Sequence, residues 1–579
     1  MKRVLICLFS FVSVFLFAGF PVNYSNWRFT DAFKIYHCQS LTREDAAKAQ
    51  YAQKIKNLDC KTVPSMEETV DFNKIFGYQE PVQSRRAIAV NRIEVEKDGR
   101  IQIGVGADWI IAVFIDGKKV FDAADLGGNG TAPAKKDNHA VDVALAKGRH
   151  TVAFWISSGA TTWTVAAGHI PYTKVIYPDP ELKYGPYLTD VASSEAVISF
   201  VTTEPAPCGV AVRKKGEKKY NCYWSRDGYQ IALEQKLHRV LVNGLDADCS
   251  YEYKLVTLVR PDNKMRFFSK DFSFKTASTK FKPFKIFVTG DLQYLPEKQC
   301  SILEKYMATR QAQESQFFIS LGDSSGAFHT FESTMFDVVL KSALAKSNHQ
   351  KNILLVRGNH EYRGAETRLF DDYFAMRNGK SYGIYYYNNV AFIVLDCGNG
   401  QRRSYANTPH YMAYDLPGIL LQEQREYLAE AVKKDEFKNA KYKVILAHSS
   451  KYGAIGPIQD YAISIVDGII NDSDIHLWLA GHIHKYRRTV PGKAGYYGFT
   501  PFKQKEQKAV NGKYPYVTMI VDGPGSLKPH SGHTIEFLEN GIKAESFFED
   551  GKAFDAFELD KNGKLVKEKS NLKYFSQYE

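Results

Sequence analysis

The feature that most constrains the fold is a series of strongly apolar, β-branched runs in the C-terminal half of the chain. Six such runs occupy residues 284–289, 317–321, 353–356, 390–395, 444–447 and 476–480. Stretches with helical periodicity separate several of them, at residues 297–315, 331–346 and 418–434. Continuous apolar strands that alternate with helices are typical of sheets buried on both faces, so the pattern predicts an α/β domain over residues 281–568.

Five of these runs end in a short polar cluster. The clusters are Asp291-Leu292-Gln293, Gly322-Asp323, Gly358-Asn359-His360-Glu361, His448, and Gly481-His482-Ile483-His484. In α/β sheets, sites form outside the carboxyl ends of the strands, so we expect the clusters to converge. A glycine beside a ligand lets the backbone turn sharply and lets a phosphate approach closely.

The residue types in these clusters suit a pair of metal ions. Asp and Asn supply hard oxygen donors and His supplies borderline nitrogen donors, a combination that suits Fe, Zn, Mn or Ni. One carboxylate can bridge two ions about 3.5–4 Å apart, and such a pair activates water for in-line attack on phosphorus. Each cluster alone has a plain alternative, such as an Asp that caps a turn or a His on the surface. Five clusters in order favour the metal site.

The order Asp, Gly-Asp, Gly-Asn-His, His and Gly-His-x-His resembles the signature of calcineurin-like metallophosphoesterases. Residues 481–489 are closely similar to the form that this last motif takes in purple acid phosphatases. The resemblance covers roughly residues 180–550. It implies a four-layer αββα catalytic domain with two metal ions.

The same resemblance implies a role for each residue of the clusters. The implied ligands are Asp291, Asp323 and His484 for one ion, and Asp323, Asn359, His448 and His482 for the other. Asp323 is then the bridge. His360 occupies the family's position for the residue that contacts phosphate and assists the leaving group; the alternative is that it orients a metal ligand. Glu361 would orient His360.

Two positions depart from the family pattern. Purple acid phosphatases carry a tyrosine three residues after the second Asp, where this chain has Gly326. A coloured tyrosinate–iron pair is therefore not expected. Other branches carry a histidine two residues after the first Asp, where this chain has Gln293, a weaker but workable metal or substrate ligand. Further candidates without a motif are Tyr452, which either reaches the substrate or packs, and His329, His530 and His533.

A helical segment and a β-sandwich are predicted near the N-terminus. Residues 26–80 are predicted to be helical, because Thr42 and Asp45 resemble a capping pair before an Ala- and Lys-rich stretch. Residues 81–175 carry short strands with turn signals, including a hairpin at Asp116-Gly117. This segment loosely resembles galactose-binding jelly-roll modules. We favour a structural spacer over a carbohydrate-binding role.

Residues 180–277 are predicted to form a second β-sandwich of short alternating strands. They resemble a fibronectin type III domain and, more closely, the N-terminal domain of purple acid phosphatases. The motif Gly185-Pro186-Tyr187-Leu188, and the stretch from Gly244-Leu245 to Tyr251, mark the same strands in that family.

The start of the chain predicts export. Met1-Lys2-Arg3 precedes an apolar run to Phe20, which is typical of a signal peptide over residues 1–20. The expected location is secreted or periplasmic, with an uncleaved membrane anchor as the alternative. Eight scattered cysteines without a Cys-x-x-Cys pair argue against a zinc ribbon, and Cys38 with Cys60 is one candidate disulfide in an oxidising compartment.

The distribution of basic residues does not indicate a nucleic-acid partner. Lys and Arg total 76 against 64 Asp and Glu, a net charge of +12, but no basic helix is interleaved with stacking aromatics. No nucleic-acid-binding module is therefore predicted.

The sequence predicts an acid-phosphatase-like phosphomonoesterase acting on a small phosphate ester. The alternatives are a phosphodiesterase or nucleotide hydrolase, or a non-catalytic carbohydrate- or surface-binding protein, against which the complete ligand set argues.

Overall fold

The computed structural model describes residues 24–576 except for 81, 127–131, 161, 171–179, 260–263, 294–295, 400–416, 455–456, 500–512 and 523–530. The predicted signal segment 1–20 and His530 lie outside the described residues. Two compact units are present. The first comprises residues 24–170 with 258–259 and 264–265, and the second comprises the remaining described residues. Within the described ranges, no helix has the length and apolarity to cross a membrane.

Two sheets that share one core make up the N-terminal unit. Strands of the first sheet are, in spatial order, Cys60–Val63, Phe33–His37, Arg86–Val95, Gly148–Ser157, Ile110–Ile115 and Lys118–Asp122, with Trp27–Phe29 also paired to Arg86–Val95. Strands of the second sheet are Val70–Asp71, Thr164–Gly168, Gly99–Ala107 and His139–Leu145. Alternate side chains of both sheets, such as Ile93 and Ile103, are buried together. The hairpin predicted at Asp116-Gly117 is present, with positive φ at both residues.

The prediction of a helical segment over residues 26–80 is wrong. Its only α-helices are Arg43–Ala47 and Phe72–Phe76, each five residues long. The capping box of Thr42 and Asp45 does form, but so short a helix gains little from cooperativity. The rest of the segment supplies short strands of the two sheets, and residues 48–59 form turns rather than a continued helix.

This pairing also moves the predicted boundary at residue 81. Strand Phe33–His37 pairs with Arg86–Val95, and Val70–Asp71 pairs with Thr164–Gly168. Residues on both sides of position 81 therefore belong to one sandwich.

Residues 180–277 are β-rich, as predicted, and join two sheets. Leu182–Thr189, Glu195–Thr202 and Leu237–Asn243 are strands of a ten-stranded sheet. The facing sheet contains Asn221–Trp224, Cys208–Lys214, Ser250–Val259 and Lys264–Phe267, with Phe272–Lys275 also paired to Ser250–Val259; Arg226–Asp227 and Gln230–Ile231 form a separate pair. Side chains of both sheets, such as Ile198 and Val210, share one core.

The α/β domain is built on two large sheets. The ten-stranded sheet continues with Asn352–Leu355, Phe317–Ser320, Phe284–Thr289, Gly532–Leu538, Gly541–Phe547, Ala553–Asp560 and Leu565–Ser570. The eight-stranded sheet contains Gly383–Tyr387, Val390–Leu395, Tyr442–Ala447, Leu477–Ala480, Val517–Ile520, Arg487–Thr489, Gly495–Gly498 and Lys573–Ser576. Side chains of both sheets, such as Ile286 and Val444, form the core between them.

Helices cover the outer face of each sheet, which gives four layers. The described helices of this domain are Pro296–Ala308, Arg310–Gln313, Phe331–Ser333, Leu340–Lys346, Leu369–Phe374, Pro417–Ala431, Asp435–Lys438 and Pro457–Val466, with a π-helical turn at Thr334–Val339 and 3₁₀ turns at His360–Tyr362 and Asp472–Asp474. A further 3₁₀ turn, Ala123–Leu126, belongs to the N-terminal unit. Leu303 and Leu340 pack on the ten-stranded sheet. Leu428 and Ile458 pack on the eight-stranded sheet.

Free thiols are present at Cys38, Cys60, Cys208, Cys222, Cys249 and Cys397. The disulfide considered for Cys38 and Cys60 is therefore not formed.

Candidate metal centre

The predicted ligands lie on loops that follow strands of both large sheets. Asp291, Asp323 and Asn359 follow the parallel strands Phe284–Thr289, Phe317–Ser320 and Asn352–Leu355 of the ten-stranded sheet. His448 directly follows Tyr442–Ala447, and the loop of His482 and His484 follows Leu477–Ala480. Because parallel strands end at the same edge, their loops meet there.

The structure brings these side chains together in two overlapping groups. Asp323, His448 and His482 form one group, and Asp291, Asp323 and His484 form the other. Within each group the candidate ligand atoms lie within 4.8 Å of one another. Asp323 belongs to both groups, which is the arrangement expected of a carboxylate that bridges two ions.

Asn359 and Gln293 complete the cluster from opposite sides. The Asn359 Oδ1 atom lies 3.0 Å from His448 Nε2 and 3.1 Å from His482 Nδ1. The Gln293 Nε2 atom lies 3.2 Å from Asp323 Oδ2 and 2.9 Å from His484 Nε2. Among the described residues, the buried Oε1 atom of Gln293 has no hydrogen-bond partner. Rotation of the amide by half a turn would exchange these two atoms and direct the oxygen towards the cluster.

Four ligand candidates adopt left-handed backbone conformations. The φ angles are 50° at Asp291, 54° at Asp323, 75° at His482 and 54° at His484. Residues other than glycine rarely adopt such angles, and each costs on the order of 1–3 kcal/mol unless the surroundings fix it. This concentration of strain in one loop cluster indicates a functional site.

Glu361 fixes two of the loops against each other. Its fully buried carboxylate accepts hydrogen bonds from the backbone N–H groups of Asp323 (2.9 Å), Ser324 (2.7 Å) and Gly358 (3.0 Å). A side chain at Gly358 would overlap both Asp323 and Glu361. The predicted role of Glu361 in orienting His360 is therefore wrong, because the 3₁₀ turn directs the carboxylate towards the backbone of the Asp323 loop.

A backbone contact sets the orientation of His448. The Nδ1–H of this fully buried ring donates to the carbonyl oxygen of Leu321 at 2.8 Å. That leaves Nε2, 3.1 Å from Asp323 Oδ2, as the ligand atom. Such outer contacts orient metal ligands and fix the tautomer.

Burial and mutual charge shift the pKa values of these groups. Burial raises the pKa of Asp291 well above its usual range. Burial would also raise that of Asp323, but the neighbouring His448 and His360 outweigh it and the net shift is downward. Burial alone would lower the pKa of His448, but Asp323 outweighs it and raises that pKa to about 10. Burial lowers the pKa of His482 to about 3.

This donor set fits cations. Two buried carboxylates need compensating positive charge, and without a metal protonated imidazole supplies part of it. Metal ions would supply that charge and leave the imidazoles neutral, as ligands require. The residues that would hold the two ions are Asp291, Asp323, Asn359, His448, His482 and His484, with the Gln293 amide beside them.

His360 lies beside the cluster and outside both ligand groups. Its Nε2 atom is 3.7 Å from Asp323 Oδ2, and its backbone N–H donates to Asp323 Oδ1 at 2.9 Å. The Nδ1–H donates to the carbonyl oxygen of Gly326 at 2.8 Å. A Cβ atom at Gly326 would have no other atom within 4 Å, so the backbone there does not itself require glycine.

Three other candidates lie elsewhere. Tyr452 packs against Tyr516, and its hydroxyl donates to Asp472 at 2.7 Å. His533 is buried between the hydroxyls of Ser531 and Ser546. His329 is exposed.

One neighbour of the site was not predicted. The Nη1 atom of Arg363 lies 2.7 Å from His360 Nε2. The sequence contained one indication of this contact: Arg363 follows His360 by three residues across a tight turn. Residues three apart share a face of such a turn.

Comparison with known proteins identifies this domain. The calcineurin-like phosphoesterase family model matches residues 284–486, a range that holds all the candidate ligands. No curated protein matches the chain.

Solved structures show weaker similarity. A purple acid phosphatase from yellow lupin (Lupinus luteus) seeds is 13% identical, with a TM-score of 0.44, over 82% of this chain and 93% of that one. A dimetal phosphatase from Danio rerio is 13% identical, with a TM-score of 0.31, over 46% and 96%. The anchor protein of the Plasmodium inner membrane complex is 11% identical, with a TM-score of 0.33, over 50% and 90%.

The family match and the ligand cluster agree in position and in chemistry. Residues 284–486 are therefore a calcineurin-like phosphoesterase domain, and the chain is a metal-dependent phosphoesterase.

Proposed function

We propose that the protein hydrolyses small phosphate monoesters with a pair of metal ions held around Asp323. The observation that supports this most is the presence of Asp323 in both ligand groups. When bound, the ions would supply an activated water and stabilise the charge on the phosphoryl oxygens. The chain's own residues hold the ions, and His360 borders the same space.

A panel of substrates tests this function. The metal-loaded protein should hydrolyse an aryl phosphate and an alkyl phosphate more efficiently than a bis-aryl phosphate diester. Asp323→Ala should abolish turnover of all three, because both ions lose a ligand, and should lower the bound metal. Faster turnover of the diester would instead support a phosphodiesterase, and retained activity in Asp323→Ala would contradict the proposal.

The upstream segments have proposed roles of their own. We assign residues 180–277 as a fibronectin III-like domain and the N-terminal sandwich as a jelly-roll-like structural module rather than a carbohydrate-binding one. The basic start and apolar run of residues 1–20 support export to a secreted or periplasmic location. N-terminal sequencing of protein recovered outside the cytoplasm should find a new terminus after residue 17.

A further inference from the structure

Arg363 is held rigidly at the edge of the candidate metal centre. It directly follows the 3₁₀ turn His360–Tyr362, and its N–H donates to the carbonyl oxygen of His360 at 2.9 Å. Its own carbonyl oxygen accepts a hydrogen bond from the N–H of Phe328 at 2.7 Å. The next residue, Gly364, has φ of +112° and packs so closely on the Phe328 backbone that no side chain would fit. The backbone of Arg363 therefore has one position relative to His360.

The guanidinium reaches the face of the site that His360 borders. Its Nη1 atom lies 2.7 Å from His360 Nε2 and 3.0 Å from His360 Nδ1. Because the Nδ1–H is donated to Gly326, Nε2 accepts the hydrogen bond from Arg363. That same Nε2 atom is 3.7 Å from Asp323, the carboxylate shared by the two ligand groups. One imidazole ring thus separates the guanidinium from the bridging position.

We propose that Arg363 binds the phosphate group of the substrate, an inference that rests on the proposed phosphatase function. A guanidinium presents its N–H donors in a planar fork that matches two phosphate oxygens. Hydrogen bonds to a phosphate dianion are about twice as strong as those to a neutral acceptor such as imidazole. When phosphate enters the centre, exchange of the His360 contact for phosphate oxygens is therefore favourable. Arg363 is then a substrate-binding residue that lies outside the ligand clusters.

A positioning role is the competing explanation. In that case Arg363 would act only by orienting the His360 ring, and its removal would have no effect once His360 is gone. Direct binding predicts an effect of Arg363 on phosphate affinity in the presence and in the absence of the His360 side chain. A double-mutant cycle separates the two explanations.

The test is a calorimetric titration of metal-reconstituted protein with inorganic phosphate. Arg363→Gln should weaken phosphate binding by on the order of tenfold or more, and Arg363→Lys by less, because lysine keeps the charge but not the fork. Arg368→Gln is the matched control, since Arg368 is an exposed arginine five residues along the same segment. It should leave the affinity unchanged. Metal content should be the same in all of these variants.

The same Arg363→Gln change in a His360→Ala background should weaken phosphate binding by a similar factor. The proposal is overturned if Arg363→Gln leaves phosphate affinity unchanged, if its effect vanishes in the His360→Ala background, or if it releases metal. If the Arg363→Gln variant folds poorly, the phosphate affinity of the Arg363→Lys variant decides whether Arg363 binds phosphate. Failure of the wild-type protein to hydrolyse an aryl phosphate would refute the proposed function, while the phosphate titration would still decide the role of Arg363.

Discussion

Three structural features meet at Asp323: shared metal ligation, a backbone hydrogen bond and a left-handed backbone conformation. Its carboxylate belongs to both ligand groups. Its N–H donates to Glu361, and its backbone is held at a φ of 54°. The ligand types and their order could be predicted because each follows an apolar strand. The direction of Glu361 could not, because a 3₁₀ turn sends its carboxylate to the backbone of the Asp323 loop, and the letters Asn-His-Glu do not encode that turn.

His360→Ala should keep both metal ions and lower turnover of an alkyl phosphate by roughly 10²–10⁴-fold, the usual worth of a general acid. The structure supports separate roles, since His360 borders Asp323 but belongs to neither ligand group. Burial and the positive charge of Arg363 lower the pKa of His360, and the neighbouring Asp323 carboxylate opposes that shift. The measurement is kcat/KM for an alkyl phosphate and for a nitro-substituted aryl phosphate, together with metal content.

The nitro-substituted aryl phosphate should be hydrolysed nearly normally by His360→Ala, because its leaving group needs no proton. An equal loss on both substrates would assign His360 to phosphate positioning instead. Metal loss in this variant would place His360 among the ligands and contradict the prediction.

At the scale of elements, the loops after two adjacent strands act as one unit. Glu361, in the loop after Asn352–Leu355, accepts three backbone hydrogen bonds that join it to the loop after Phe317–Ser320. Most of these elements could be predicted: strands 284–289 and 390–395 have the predicted bounds. Short helices were harder, because the helix that starts at the Thr42 cap already ends at Ala47, although the Ala- and Lys-rich stretch continues beyond it.

Glu361→Gln should loosen both loops. A glutamine amide offers one oxygen and one NH₂ group, so at least one of the three N–H groups would face another donor and lose its partner. The free energy of unfolding should fall by about 2–4 kcal/mol, and metal affinity by about 10–100-fold. Chemical denaturation and metal titration measure the two effects.

Glu366→Gln is the control for this prediction. Glu366 lies on the same segment and accepts one backbone hydrogen bond, from Phe331 at 2.6 Å. Glutamine keeps one amide oxygen that can accept this bond, so the substitution should cost less than about 1 kcal/mol and leave metal affinity unchanged. Equal effects of the two substitutions would mean that the Glu361 contacts do not support the site.

At the scale of the whole molecule, the second unit is continuous across its two β-rich parts. Strand Leu182–Thr189 pairs in parallel with Asn352–Leu355, through Leu188 and Asn352. Tyr187 also donates its hydroxyl hydrogen bond to the carbonyl oxygen of Tyr373. The pairing of these two strands could not be predicted from sequence. The residue pattern of a strand predicts that it is a strand but not its partner, which here lies far away along the chain.

A fragment of residues 180–579 should fold and hydrolyse an aryl phosphate with kcat/KM within about threefold of the full chain. None of the candidate ligands precedes residue 291. A fragment of residues 278–579 should aggregate, because it leaves the strand Asn352–Leu355 as an unpaired edge. Circular dichroism, light scattering and the aryl phosphate assay measure these outcomes. A folded but inactive 180–579 fragment would show that the N-terminal unit contributes to the active site.

A pair of metal ions bridged by Asp323 should be visible by anomalous X-ray diffraction from manganese-loaded crystals. Two anomalous peaks per chain are expected, about 3.5–4 Å apart. One peak should contact Asp291, Asp323 and His484, and the other Asp323, Asn359, His448 and His482. A single peak, or two peaks that do not share Asp323, would rule out a bridged pair at this site.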